Sequence, residues 1–211
     1  NPDLQHFCTN ALQEAAQQFW IAPSSSTGRN HPPEDSGTSG LIRHLIKAGE
    51  VTKQVARRED FTPYEKDMAL AATLLHDIRK NGHEWGESTD YRHGLLGAEY
   101  LQEFKLRDGT AKQIIVDTVR YHMAPWNTTL ENERYKLLFP SKDPEEQTKR
   151  EQNIFTAAEI TDEIAERKRG SRPHNIIEKC VQEADYWSSR NNMSFMPGRS
   201  IDFSLKHDSP E

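Results

Sequence analysis

The spacing of its apolar residues limits most strongly how this chain can fold. They recur every three or four positions in one segment after another, and no alternating strand pattern competes with them. Leu4, Phe7, Leu12, Ala15, Ala16 and Phe19 mark one broad face and predict a helix over residues 4–20, ended by Pro23. The pattern resumes from Leu41 to about Arg58. It returns from Pro63, a good first-turn residue, through Lys80, where Gly82 and Gly86 break it. Further helices are predicted over 93–105, 110–122, 151–168 and 174–189. The chain reads as all-α.

The intervals between these segments are equally informative. Residues 24–40 are so rich in Ser, Gly and Pro that regular structure cannot persist there, and a loop of that length in a compact domain is often functional or mobile. Residues 127–150 form a charged stretch around Pro140 and Pro144, read as a surface insertion. Residues 191–211 have no clear period and are read as a tail.

At 211 residues the chain suits one domain with an appendage. A hydrophobic content of 34% is low, but a net charge of only −6 and the ordered spacing point to a folded protein with a very polar surface. The mild acidity supplies no global attraction for nucleic acid or anionic membrane, so any phosphate must be met locally. Two cysteines, Cys8 and Cys180, are too few for a disulfide framework and suit a reducing compartment. No apolar run approaches a membrane span and no signal-peptide pattern is visible, so a cytoplasmic location is expected.

Against this background, several polar residues stand where a core should be. In Leu74–Lys80, His76 and Asp77 sit side by side at the end of an apolar helical run. His44 lies in a stripe with Leu41, Ala48 and Val51; His122 follows Ile115 and Val119; His93 opens a helix with Leu96, Gly97 and Tyr100. Asp162, between Phe155, Ala158 and Ala165, places a carboxylate on a face expected to be buried. A lone histidine in such a setting reads as a hydrogen-bonded core residue. A buried carboxylate costs several kcal/mol unless a charge or metal compensates. Taken jointly, His44, His76, Asp77, His93, His122 and Asp162 make a nitrogen and oxygen donor set without thiolate. Such a set suits Mn, Fe, Ni, Co or Mg better than structural zinc. Six donors are too many for one ion that must keep open positions, and about right for two ions sharing Asp77. His6, His31, His83, His174 and His207 lack this setting.

The order His44, His76-Asp77 within His-Asp-x-x-Lys, His93, His122 and Asp162 resembles the HD-domain superfamily of metal-dependent phosphohydrolases. The resemblance covers roughly residues 40–190. It implies a helical bundle of about five core helices, to which residues 1–39 add an N-terminal helix and loop. It also implies that His44, His76, Asp77 and Asp162 hold one ion while His93 and His122 join a bridging Asp77 on the second. Phe19–Pro23, Gly40–His44, Tyr121–Trp126 and Ala157–Asp162 are similar to segments of HD proteins related to bacterial 3′-5′ exoribonucleases. Two departures are evident: Arg79 stands where many relatives carry Gly, and no second His adjoins His122.

Two divalent ions about 3.5–4 Å apart can bind a phosphoryl oxygen and activate water, so the expected reaction is phosphoester hydrolysis by a metal-bound hydroxide. The expected substrate is a nucleotide or a short single-stranded oligonucleotide end. Lys80, one turn beyond His76, is expected to meet the phosphate or orient Asp77. Arg29 and His31 in the long loop, Trp126 after His122, and Arg169 and Arg172 in the basic run after Asp162 are candidate substrate contacts. Two alternatives share the ligand set: a di-iron HD-fold oxygenase similar to inositol oxygenase, and a non-catalytic nucleotide-binding module.

Overall fold

The computed structural model describes residues 1–25, 31–90, 92–123, 143–144 and 175–190. Among these the only regular elements are helices: α1 (Pro2–Gln13), α2 (Gln17–Ile21), a 3-10 turn (Pro33–Asp35), α3 (Gly40–Arg58), α4 (Pro63–Leu75), α5 (His93–Gln102), α6 (Gly109–Tyr121) and α7 (Ile176–Ser188). The expected helix over 151–168, the insertion over 127–150 and the tail from 191 lie outside the described residues, apart from Asp143 and Pro144.

Four of the helices, α1, α4, α6 and α7, begin where a side chain satisfies the first free amides. Asn1 accepts from Asp3 and Leu4 at the head of α1, and Asn175 accepts from Glu178 at the head of α7. Thr62 and Glu65 form a reciprocal capping box ahead of Pro63, which fixes the start of α4. Asp108 caps α6 through the Ala111 amide.

Two predicted boundaries shift. The single helix expected over 4–20 is broken, because Ala16 takes an extended conformation (φ −55°, ψ 145°) between α1 and α2. The break lets two apolar faces go separate ways. Leu4, Phe7 and Ala11 join the main core, whereas Phe19 packs with Leu41 and Leu45 in a second cluster at the start of α3. The helix expected to reach Lys80 ends at Leu75, and the chain winds on through tight turns, with Ile78 N–H donating to Leu75 and Lys80 N–H to Asp77.

Helix α4 is central. It packs against α1, α3, α6 and α7, while α5 lies along α6. The main core is built from its Met68, Ala69, Ala71, Ala72 and Leu75, with Val51 and Val55 of α3, Ile115 and Val119 of α6, and Ile177, Val181 and Ala184 of α7. The five helices α3 to α7 form the bundle, and their ends near Leu75, His93 and Tyr121 meet on one side of it. The close approach of α5 to α6 depends on two glycines. A Cβ on Gly94 would lie 2.8 Å from the Arg120 carbonyl oxygen, and one on Gly97 would lie 3.1 Å from Val119. No helix among the described residues is long and apolar enough to cross a membrane. Cys8 and Cys180 are free thiols.

Candidate metal centre

Where the helix ends meet, polar side chains replace the core. His44 stands one turn into α3, His76 caps the end of α4, His93 opens α5 and His122 caps the end of α6. All four are essentially inaccessible to solvent, as is Asp77.

What orients these imidazoles decides what they can bind. Nδ1 of His76 lies 2.7 Å from the Thr73 carbonyl oxygen, that of His93 lies 2.6 Å from Asp90, and that of His122 lies 2.7 Å from Val119. A carbonyl only accepts, so each Nδ1 carries its proton outward. His44 follows the same rule. The Ser188 hydroxyl donates to the Asp185 carbonyl, which leaves its oxygen to accept from His44 Nδ1 at 3.3 Å. With each Nδ1 committed to an outward partner, all four rings turn Nε2 toward the same interior.

Those nitrogens face one another and two carboxylates. The His93 and His122 Nε2 atoms are 3.1 Å apart, and those of His44 and His76 are 3.4 Å apart. Asp77 lies between the pairs, with Oδ1 3.1 Å from His93 and 3.6 Å from His122, and Oδ2 3.5 Å from His76 and 3.8 Å from His44. Acceptors packed against acceptors repel, and buried lone pairs of this kind need either protons or a cation.

The electrostatics agree. Burial alone would raise Asp77, but the Lys80 ammonium and the His76 imidazole outweigh it and hold the carboxyl well below the usual range. Burial opposes a charge on His76 too, yet Asp77 and Asp185 keep it above its ordinary value. His122 is pushed down to about 4, chiefly by burial. The donor set and geometry thus fit metal ions: His44, His76 and Asp77 can converge on one, and Asp77, His93 and His122 on another.

One residue here was not anticipated from the sequence. Asp185 of α7, buried, places Oδ1 3.1 Å from His44 Nε2 and 3.5 Å from His76 Nε2. Burial would raise its carboxyl, but hydrogen bonds with His44 and His76 hold it well below the ordinary range. The signal was present: Ile177, Val181 and Asp185 recur at four-residue intervals on the inner face of a predicted helix. Asp162, to which the final carboxylate was assigned, lies outside the described residues, as do Arg29, Trp126, Arg169 and Arg172.

Lys80 is buried and donates to Asp77 Oδ2 at 2.5 Å. His83 is exposed. His31 differs from its reading as a histidine outside any buried setting. It is buried, with its ring centroid 4.7 Å from that of His44, and burial pushes it down to about 3. Residues 31–39 lie against α3, tied to it through Lys47 and Arg43, which brings His31 there.

Comparison with known families decides which fold this constellation belongs to, since the HD domain matches residues 41–189. The chain belongs to the HD-domain family. No curated protein and no solved structure matches it. The matched stretch of this HD domain starts with α3 and closes after α7, so it contains both His44 and Asp185.

Proposed function

We propose that this HD domain is a metal-dependent phosphohydrolase with a two-ion centre, acting on a phosphoester of a nucleotide or an oligonucleotide end. The supporting observation is the pair of facing Nε2 couples, His44 with His76 and His93 with His122, on either side of an ionised Asp77. Divalent ions such as Mn, Fe, Ni, Co or Mg, when bound there, supply the Lewis acidity that activates water and offsets charge at phosphorus.

The protein's own groups do the rest. The backbone carbonyls of Thr73, Asp90 and Val119 hold the rings in the direction a metal would require. Asp77 offers one oxygen to each couple and would bridge two ions, and Asp185 adds a second negative charge beside His44 and His76. Lys80 holds its ammonium against Asp77 within the same buried space, where a multiply charged phosphoester gains most from a further cation. That last feature favours phosphate chemistry over oxygen activation on the same ligands.

The test is a screen of metal-stripped protein reloaded singly with Mn, Ni, Co, Fe or Mg. Substrates would be bis-p-nitrophenyl phosphate, nucleotides and short single strands. Hydrolysis that disappears in His76→Ala and Asp77→Ala is the expected result. Full activity in those variants would sink the proposal, and so would oxygen consumption by the iron-loaded protein with no phosphate released.

A further inference from the structure

His31 behaves unlike the other buried histidines. It is 7% exposed, and its Nδ1 is buried without a hydrogen-bond partner among the described residues. The Nδ1 atoms of His44, His76, His93 and His122 all have partners. Leaving such an atom unpaired costs about 1–3 kcal/mol, which a purely structural histidine would not be expected to carry.

The position is also held firmly. The Ser24 amide and hydroxyl both donate to the Asp35 carbonyl oxygen at 2.9 Å. The Asp35 carboxylate is fully buried, with both oxygens 3.0 Å from Lys47 Nζ. The same turn is pressed onto the start of α3, since a Cβ on Gly40 would lie 1.7 Å from the Asp35 carbonyl oxygen. This anchored turn sets His31 edge-on to His44, with the ring planes 84° apart, and within electrostatic reach of Lys80, Asp77 and Asp185.

Metal binding is the obvious use for such a ring, because His31, Asp35 and His44 each bring a donor atom within 4.8 Å of the others. The chemistry speaks against it. The Lys47 ammonium already neutralises Asp35, and His44 Nε2 is directed to Asp185 and His76. What the ring lacks is a hydrogen-bond partner that arrives from outside.

We propose that His31 binds the substrate, giving an imidazole N–H to a non-bridging oxygen of the phosphoryl group at the metal centre. This rests on the phosphohydrolase reading and adds to it a wall of the phosphate pocket opposite in kind to Lys80, neutral and fixed in direction.

Calorimetric binding of inorganic phosphate to the manganese-loaded full chain tests the assignment in wild type, His31→Phe and His31→Asn, with manganese content measured alongside. Phenylalanine keeps the ring edge and cannot donate, so phosphate affinity should fall about tenfold or more. Asparagine retains an N–H near the Nδ1 position and should stay within about threefold of wild type. All three should hold the same manganese, and in turnover the loss should fall on KM more than kcat. Should Phe not fit the site, as judged by thermal melting, His31→Leu takes its place.

Unchanged phosphate affinity in the variant without a donor overturns the assignment while leaving the hydrolase reading standing. Loss of manganese from that variant also overturns it, by making His31 a ligand. Wild-type protein that binds no phosphate and cleaves no phosphoester removes both.

Discussion

The two sides of the metal centre are built from unequal donors. On the His44 side, two imidazoles meet two carboxylates, Asp77 and Asp185, although Asp77 Oδ2 also accepts from Lys80. On the His93 side, among the described residues, two imidazoles meet the other oxygen of Asp77, and Asp185 comes near His122 only in the looser group it forms with His76. The elements differ in the same sense. The first pair is carried by α3 and α4, deep in the bundle with α7 behind them, whereas the second depends on α5 closing over α6 through Gly94. In the proposed two-ion centre, charge and packing would both favour tighter binding on the His44 side, so the His93 side should fill second and exchange more readily.

Removing the shared group should have the largest effect. Asp77→Ala is expected to lose both ions and all metal-dependent hydrolysis, as read by elemental analysis and turnover together. An Asp77 variant that still held one ion tightly would show that the sides are independent. Asp185→Asn preserves shape and removes charge from one side only. Affinity for the first ion should drop by more than about 100-fold, beyond the usual cost of a supporting residue, while the second side stays nearly intact. Equal losses on both sides would erase the asymmetry.

Gly94→Ala acts on the other side through packing. The added methyl group collides with the Arg120 and Val119 carbonyls, so α5 must move away from α6. Thermal unfolding should show a loss of about 1–3 kcal/mol, with the second ion released before the first. Ser188→Ala is the mildest change. It deprives His44 Nδ1 of its acceptor and should weaken the first ion by about tenfold, measured by competition with a chromophoric chelator.

Much of this was legible in the residues. Helical spacing announced the bundle, and polar residues in apolar stripes pointed to the buried cluster of His44, His76, Asp77, His93 and His122, because burying His44, Asp77 or His122 without a partner would cost too much. Three features were not legible. The break at Ala16 has no glycine or proline to mark it and arises because Phe19 has a second cluster to join. Asp185 obeys the rule that singled out Asp162, a carboxylate on an inner helical face. Only the packing of α7 across α3 and α4 reveals that it reaches His44. His31 follows a stretch of Ser, Gly and Pro with no period to read, and its placement depends on the Asp35–Lys47 anchor between loop and helix.

Metal stoichiometry is the most direct test of a two-ion centre bridged by Asp77. Wild-type protein, stripped with chelator and dialysed against manganese, should hold two ions per chain, and Asp185→Asn treated identically should hold one. Fewer than one ion in the wild type, or the same count in both proteins, would contradict the account.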